Sequence, residues 1–192
     1  MSCYYNASAT KFLEDSMERD MNEFYGAFLE QLPETAFILD AGCGMGKDSL
    51  YFKELGHYVV PMETSEEICR LAGENIGQSV LFCRFQDMHS KIKFDGIWAC
   101  ASLIHIPSNE LINIVRRFNW YLKDNGVVYA SFGYGDFEGE RDGEYYINLT
   151  EGLARRLFSE AGFQIERMWV TEDKRKNHIG EKYINIVAEK II

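Results

Sequence analysis

The stretch Phe37-Ile38-Leu39-Asp40-Ala41-Gly42-Cys43-Gly44-Met45-Gly46-Lys47-Asp48-Ser49 decides the fold of this chain. An apolar run ends in the carboxylate of Asp40, three glycines alternate with other residues, and helix-forming residues then begin. A short apolar run predicts a strand that is buried on both faces of a parallel sheet. Glycines at every second position permit positive φ angles and a close approach of a ligand to the backbone. The helix that follows directs its free N–H groups toward the same turn. The stretch therefore predicts a strand, a ligand-binding turn and a helix.

Two classes of ligand use such a turn, and the spacing of the glycines separates them. The dinucleotide fingerprint G-x-G-x-x-G needs a third glycine three residues after the second, where this chain has Lys47. A nicotinamide-dependent oxidoreductase is therefore disfavoured. The observed pattern D-x-G-x-G-x-G, from Asp40 to Gly46, resembles motif I of the class I S-adenosylmethionine-dependent methyltransferases. The segments around the turn must decide between the two classes.

Charge and composition restrict the partners. The chain has 192 residues, a one-domain length, and a net charge of −10, which disfavours binding to nucleic acid or to an anionic membrane. Its compact basic cluster, Lys174-Arg175-Lys176, is too short to reverse that bias. Small neutral or cationic partners are favoured, and the oligomeric state is not indicated.

Cysteine usage and hydropathy address metal binding and location. The five cysteines form no C-x-x-C pair and are odd in number, so neither a zinc site nor a disulfide framework is expected, and we predict no metal. Unpaired cysteines favour a reducing, cytoplasmic compartment. Neither a run of about 18 apolar residues nor a basic and apolar signal pattern stands out. We therefore expect a cytoplasmic protein that does not span a membrane.

The rest of the chain predicts alternating strands and helices around the first strand. Apolar spacings of three and four from about residue 6 to residue 31 predict an N-terminal helix, or a broken pair of helices, that ends at Pro33. Further strands are predicted at 57–62, 80–83, 94–100 and 127–132, and helices follow most of them. Pro61 argues against full ladder pairing of the second strand. The last two strands, 163–170 and 182–189, have a short linker that suits an antiparallel hairpin.

Three carboxylates stand at successive strand ends, namely Asp40, Glu63 and Asp87. The carboxyl ends of parallel strands share one crevice at the edge of an open α/β sheet. Glu63 lies at about the 20-residue distance at which such folds hold a ribose, and a carboxylate can accept hydrogen bonds from both ribose hydroxyls. This coincidence of position strengthens the prediction of a nucleoside-containing ligand.

A second segment carries a wider resemblance. Residues 94–107, Phe-Asp-Gly-Ile-Trp-Ala-Cys-Ala-Ser-Leu-Ile-His-Ile-Pro, resemble motif IV of small-molecule methyltransferases, in which the strand end flanks the transferred methyl group. Together with the glycine turn and the later Ser131-Phe132-Gly133-Tyr134-Gly135, the pattern resembles a bacterial subfamily of class I methyltransferases over nearly the whole chain. It is distantly similar to tellurite-resistance and ubiquinone-biosynthesis methyltransferases.

The resemblance implies a fold and a cofactor. The fold would be α/β: a three-layer Rossmann-like domain spanning residues 1–192, with an N-terminal helical cap (1–33) and a core (36–192). Its seven-stranded, mostly parallel sheet would end in an antiparallel hairpin. The cofactor would be S-adenosylmethionine, with S-adenosylhomocysteine as product. Asp40 would orient the ammonium group, Glu63 the ribose and Asp87 the adenine. The full set implied for the cofactor is Tyr5, Asp40, Gly42, Cys43, Gly44, Gly46, Lys47, Glu63, Thr64, Asp87, Met88, Cys100 and Ala101.

The acceptor side is less constrained by the residues. Methyl transfer from a sulfonium needs mainly in-line placement of the nucleophile, and a base only when the acceptor must lose a proton early. His105 is the candidate base or orienting group, with a structural histidine as the alternative, and Tyr134 is a second catalytic candidate. Glu138 and Arg141 are substrate-contact candidates in the polar stretch 133–148, which we predict to be a substrate-side loop; its alternative is a solvated, mobile loop.

Two function classes remain after these considerations. The first is methyl transfer to an O, N or S nucleophile of a small molecule, since the chain lacks the N-P-P-Y-type run of nucleic-acid amino-methylating enzymes. The alternative is a non-catalytic S-adenosylmethionine-binding sensor or partner protein. The intact motif IV and the elaborated loop 133–148 argue against this alternative. The turn 173–181 departs from the subfamily, because Lys176 and His178 stand where a proline and a second arginine are expected, and its role is open.

Overall fold

A computed structural model describes residues 20–141, 143–173 and 180–191. Five α-helices and one 3-10 turn alternate with the strands in this part of the chain. The helices are α1 (Asn22–Leu29), α2 (Lys47–Glu54), α3 (Glu66–Ile76), α4 (Ser108–Tyr121) and α5 (Glu151–Glu160), and the 3-10 turn is Leu103–His105. The strands are β1 (Phe37–Ala41), β2 (Tyr58–Glu63), β3 (Leu81–Phe82), β4 (Phe94–Ala99), β5 (Leu122–Tyr134), β6 (Glu138–Arg141), β7 (Glu144–Leu149), β8 (Phe163–Glu172) and β9 (Lys182–Lys190).

The main sheet confirms the predicted fold class. The first five strands run parallel in the order β3-β2-β1-β4-β5. β9 pairs antiparallel with both β5 and β8, which gives the predicted final hairpin. Strand order reverses at β1, because β2 lies on one side of it and β4 on the other. Ligands of open α/β sheets bind outside the carboxyl ends of the strands at such a reversal.

Pro61 is accommodated better than its sequence position suggests. β2 pairs with β1 continuously from Tyr58 to Met62, and Pro61 lies opposite Asp40. The expectation of incomplete pairing was therefore wrong on the β1 side. On the other side β2 pairs with β3 only from Met62 onward, so the residue without an N–H is not required to donate there.

The stretch 133–148 is a hairpin rather than a simple loop. β6 pairs antiparallel with β7, and β7 also pairs parallel with the last two residues of β5. The prediction of a loop was wrong because glycine and charge at these positions hide the alternation that identifies a strand. The hairpin matters for the site because it packs beside the 3-10 turn that carries His105.

Helices cover both faces of the sheet, as a three-layer fold requires. On one face α4 and α5 bury an aliphatic and phenylalanine-rich core against the central strands. On the other face α1 and α2 enclose an aromatic cluster, in which Tyr25 stacks on Tyr51 and Trp98 stacks on Tyr129, each pair with centroids 4.0 Å apart. Within the described residues, every helix is too short or too polar to cross a membrane. The predicted helix over 6–31 is described only from residue 20 onward.

Candidate active site at the strand ends

The glycine turn between β1 and α2 has the geometry predicted for a ligand-binding turn. All three glycines have positive φ angles: 86° at Gly42, 51° at Gly44 and 83° at Gly46. The turn is anchored to the neighbouring strand, because the N–H groups of Gly42 and Cys43 both donate to the Met62 carbonyl at 2.9 Å. Side-chain-free backbone is thus presented at the carboxyl ends of β1 and β2. This cradle suits the close approach of an extended polar ligand.

Asp40 is a buried carboxylate directly beneath this turn. Only 2% of its surface is exposed, and the Ser49 hydroxyl donates to its Oδ2 at 2.5 Å. Burial raises the pKa of Asp40 well above its usual range, and the nearby charges of Asp48 and Glu63 raise it further. A buried carboxylate among like charges is a site that favours a cation.

Asp48 in the first turn of α2 is held from two distant parts of the chain. The Tyr25 hydroxyl donates to its Oδ1 at 2.5 Å, and the Trp98 indole N–H donates to its Oδ2 at 2.7 Å. Burial raises the pKa of Tyr25, and the Asp48 carboxylate adds to that effect. The contact connects helix α1 to the glycine turn, and nothing in the sequence pattern marks Asp48 for this role.

Glu63 at the end of β2 organises the adjoining loops. Its Oε2 accepts from the Gly44 N–H at 3.2 Å, and its Oε1 accepts from the Thr64 N–H at 2.6 Å and the Ser65 N–H at 3.3 Å. The Thr64 hydroxyl also donates to Oε1 at 3.1 Å. The structure therefore brings two of the predicted carboxylates, Asp40 and Glu63, together around the glycine turn.

The third strand end differs from the first two. Asp87 is exposed and forms an ion pair with Arg84, with an Nε–Oδ2 distance of 2.6 Å, which lowers the pKa of the carboxyl. Met88 is buried, and its carbonyl accepts from the side chains of Arg117 and Tyr121. Strand β3 has only two residues, so this loop is held by α4 rather than by an extended ladder.

The end of β4 lies directly beside the glycine turn. Ala101 has a φ of 50°, a rare angle for a residue with a side chain, and its N–H donates to the Ser131 hydroxyl at 2.9 Å. The hydroxyl of Ser131 also contacts the Cys100 sulfur at 3.7 Å. A Cβ added at Gly42 would lie 2.4 Å from the Ser102 Cβ, so β1 and β4 end in direct proximity.

Two serines belong to this region that sequence reasoning did not single out. Ser131 is fully buried in β5 and supports the strained Ala101. The Ser102 hydroxyl is buried and has no hydrogen-bond partner among the described residues. The small polar residues inside otherwise apolar strand-end segments were the signal that could have identified them.

The acceptor-side candidates are arranged by the β6–β7 hairpin. His105 Nδ1 lies 2.9 Å from the Tyr145 carbonyl oxygen, and its ring meets Tyr146 edge-on at 4.7 Å. Glu138 accepts from the Ser108 N–H at 2.9 Å and from the Tyr145 hydroxyl, which raises the pKa of Tyr145 to about 12. The hairpin is thereby attached to the turn that follows β4.

The other two candidates lie farther out. Tyr134 donates to both carboxylate oxygens of Glu151 at 3.0 and 3.2 Å, and this hydrogen bond raises its pKa. The Arg141 guanidinium lies 3.6 Å over the Phe137 ring. The partners of both side chains are therefore local, namely Glu151 for Tyr134 and Phe137 for Arg141.

Three further residues were predicted to contact the cofactor, namely Cys43, Lys47 and Tyr5. Cys43 is buried within the turn, and burial raises the pKa of its thiol well above its usual range, which makes it an inert structural thiol. Lys47 is the first residue of α2. Tyr5 lies outside the described residues.

Comparison with known proteins shows similarity to methyltransferases. A family model described as a methyltransferase domain matches residues 38–126, from β1 to the middle of β5. Residues 38–126 are therefore similar to a methyltransferase domain. This match begins at the strand before the glycine turn and includes all three strand-end carboxylates.

Two curated proteins that are similar to this chain have methyltransferase names. The chain is 33% identical over 113 residues to YqeM of Bacillus subtilis (strain 168), a protein provisionally named as a methyltransferase; the match covers 53% of this chain and 45% of YqeM. It is 24% identical over 155 residues to an uncharacterized methyltransferase of Staphylococcus carnosus (strain TM300), covering 76% of this chain and 75% of the relative. The chain thus spans less than half the length of YqeM.

A solved structure shows the same fold over almost the whole chain. The 1,6-didemethyltoxoflavin-N1-methyltransferase of Burkholderia thailandensis, solved with 1,6-didemethyltoxoflavin and S-adenosylhomocysteine, aligns with a TM-score of 0.81 and 22% identity. The alignment covers 98% of this chain and 86% of that protein. At this identity the likeness concerns the methyltransferase fold.

Proposed function

We propose that the protein binds S-adenosylmethionine at the carboxyl ends of β1, β2 and β4 and transfers its methyl group to a small-molecule acceptor. The observation that carries the proposal is the pairing of a positive-φ glycine turn with the buried Asp40 beneath it and Glu63 beside it. S-Adenosylmethionine is an elongated ligand whose amino acid end carries an ammonium and a carboxylate. A sulfonium joins this end to the ribose, and adenine lies at the other end. An anionic turn followed by a hydrogen-bonding carboxylate matches those groups in order.

Each residue has a distinct part in this proposal. Gly42 and Gly44 allow the methionine portion to lie against the backbone, and Asp40 attracts its ammonium group. Glu63 already accepts the Gly44 N–H, so a ribose placed there would share or replace that bond. Asp87 and Met88 are the proposed contacts of the adenine. The ion pair between Asp87 and Arg84 is half-exposed, so it is weak enough to rearrange when adenine binds.

We propose that catalysis depends mainly on the position of the acceptor relative to the methyl group of the cofactor. Aligning the acceptor with the methyl–sulfur bond supplies most of the rate, and the positions next to the strained Ala101 are where the acceptor would meet the methyl group. His105 and Tyr134 are the proposed catalytic side chains, and Glu138 and Arg141 the proposed acceptor contacts. The Burkholderia thailandensis enzyme binds 1,6-didemethyltoxoflavin. This small ligand and the net charge of −10 both favour a small acceptor over a nucleic acid.

Calorimetric titration with S-adenosylhomocysteine tests the cofactor site. Wild-type protein is expected to bind, and Asp40→Asn and Glu63→Gln are each expected to weaken binding at least tenfold, about 1.4 kcal/mol. Glu67→Gln, an exposed residue in the first turn of α3, is the control and should bind as wild type does. A folded wild type that does not bind, or equal binding by all four proteins, would contradict the proposed site.

A further inference from the structure

We propose that the β6–β7 hairpin holds His105 as the base that accepts a proton from the methyl acceptor, with Glu144 as its positioning residue. The acceptor is accordingly a protic nucleophile, such as a ring N–H or a hydroxyl group. This inference rests on the proposed methyl transfer at the same site. It adds the residue that orients the base, the nitrogen that acts and the chemical class of the acceptor.

A hydrogen bond to the backbone determines the tautomer of His105. Its Nδ1 lies 2.9 Å from the Tyr145 carbonyl oxygen, and a carbonyl oxygen can only accept a hydrogen bond. Nδ1 must therefore carry the proton. Because a neutral imidazole has one N–H, the lone pair is on Nε2, the nitrogen at the other side of the ring. The edge-on contact with Tyr146 limits rotation of the ring.

The carboxylate of Glu144 lies beside the His105 ring. Glu144 Oε2 lies 3.8 Å from His105 Nδ1, and the two side chains are only 14% and 20% exposed. The other oxygen, Glu144 Oε1, is buried and has no hydrogen-bond partner among the described residues. A largely buried carboxylate in such a position costs free energy when it has no counter-charge. A positive charge that forms on the imidazole offsets that cost when the proton arrives.

The arrangement is not the generic one for a histidine in this chain. His57 Nδ1 accepts the Ala36 N–H at 3.1 Å, so His57 must carry its proton on Nε2. The two histidines thus have opposite tautomers, each imposed by the backbone. Of these two histidines, only His105 combines a lone pair on Nε2 with a carboxylate near Nδ1.

The proposed step balances without any further reactant. The acceptor's lone pair forms a bond to the methyl carbon, the methyl–sulfur bond breaks, and its electron pair stays on sulfur to give S-adenosylhomocysteine. His105 Nε2 accepts the proton that the acceptor loses, and Glu144 faces the resulting imidazolium. A thioether or a tertiary amine has no proton to lose, so the same geometry would offer it no assistance.

Imidazole nitrogen NMR of the ¹⁵N-labelled protein tests the tautomer without an acceptor. His105 signals are assigned by their loss in His105→Asn, and His57 provides the opposite tautomer in the same spectrum. The proposal expects the neutral His105 to carry its proton on Nδ1. A proton on Nε2 would overturn the proposal, and calorimetry with S-adenosylhomocysteine on the same samples reports separately whether the cofactor site is intact.

A turnover experiment tests the acceptor class and the positioning role. Release of S-adenosylhomocysteine is measured with lumazine and 2-naphthol as protic acceptors and with thioanisole and N,N-dimethylaniline as aprotic ones. Turnover of a protic acceptor whose kcat falls at least tenfold in Glu144→Gln, with KM and cofactor affinity unchanged, supports the proposal. Glu140→Gln, the same charge change at an exposed position on β6, should keep the wild-type kcat. Turnover of an aprotic acceptor, or an unchanged kcat in Glu144→Gln, overturns it.

Discussion

Replacing Asp40 by asparagine should make the protein more stable while it weakens cofactor binding. The substitution keeps the size of the side chain, and the asparagine carbonyl can still accept the Ser49 hydroxyl that now donates to Asp40 at 2.5 Å. It removes a negative charge that is 2% exposed and lies near the charges of Asp48 and Glu63. Functional need, rather than stability, is then the reason for a carboxylate here.

The raised pKa of Asp40 determines the sign of the change in the free energy of unfolding. Each unit by which folding raises the pKa of a carboxyl corresponds to about 1.4 kcal/mol against the charged form. Burial and two like charges act in the same direction on Asp40. Since replacement of buried ion pairs by neutral side chains often stabilises proteins by about 1 to 4 kcal/mol, we expect a gain of that order. For a domain of this size each kcal/mol shifts the melting temperature by roughly 2–4 °C.

The dependence on pH has a definite sign. The folded pKa of Asp40 is above its unfolded value of about 3.9, so between these two values the folded chain holds a proton that the unfolded chain releases. The wild type therefore loses stability from this group as the pH rises through that window, and the loss is complete above the folded pKa. Asparagine has no such proton, so the advantage of Asp40→Asn should be smallest near pH 4 and grow to a plateau.

Urea unfolding between pH 4 and pH 8, followed by tryptophan fluorescence, measures this difference. Asp136→Asn, the same chemical change at an exposed position after β5, is the control and should stay within about 0.5 kcal/mol of wild type. The reasoning would be refuted if Asp40→Asn were less stable than wild type at pH 8. An advantage that did not change with pH would also refute it.

Two further predictions use pairs of matched variants measured by the same urea unfolding. Gly42→Ala should lose roughly 3 kcal/mol, because its Cβ would lie 2.4 Å from the Ser102 Cβ at a φ of 86°. Gly56→Ala has a similar φ of 93° but open space around the Cβ, so it should lose only about 1 kcal/mol; equal losses would show that the strand-end contact is unimportant. Tyr25→Phe should lose about 1 to 3 kcal/mol, because Asp48 would lose a buried donor. The exposed Tyr58→Phe should cost less than about 0.5 kcal/mol, and a similar value for Tyr25→Phe would contradict the importance of the Asp48 contact.

The fold class and part of the candidate site could be predicted from the sequence. The apolar run before Asp40 and the alternating glycines are local signals, because a buried parallel strand and a positive-φ turn each require particular residues in a continuous stretch. Glu63 was predictable from its distance along the chain, since strand ends of a parallel sheet converge. The final antiparallel pair followed from the short linker between the last two strands.

The β6–β7 hairpin and the contacts of the site depended on the tertiary structure. The hairpin strands lack a clear alternation of apolar residues, and β7 pairs with β5 only beyond the residues of β5 that pair with β4. Asp48 is held by Tyr25 and Trp98, and Glu144 lies beside His105, across separations that no local pattern records. The sequence by itself determined which strands form and where the glycine turn lies, because those depend on neighbouring residues. Packing between distant segments decided the rest. It determined which carboxylate is buried, which serine supports Ala101 and which nitrogen of His105 is free.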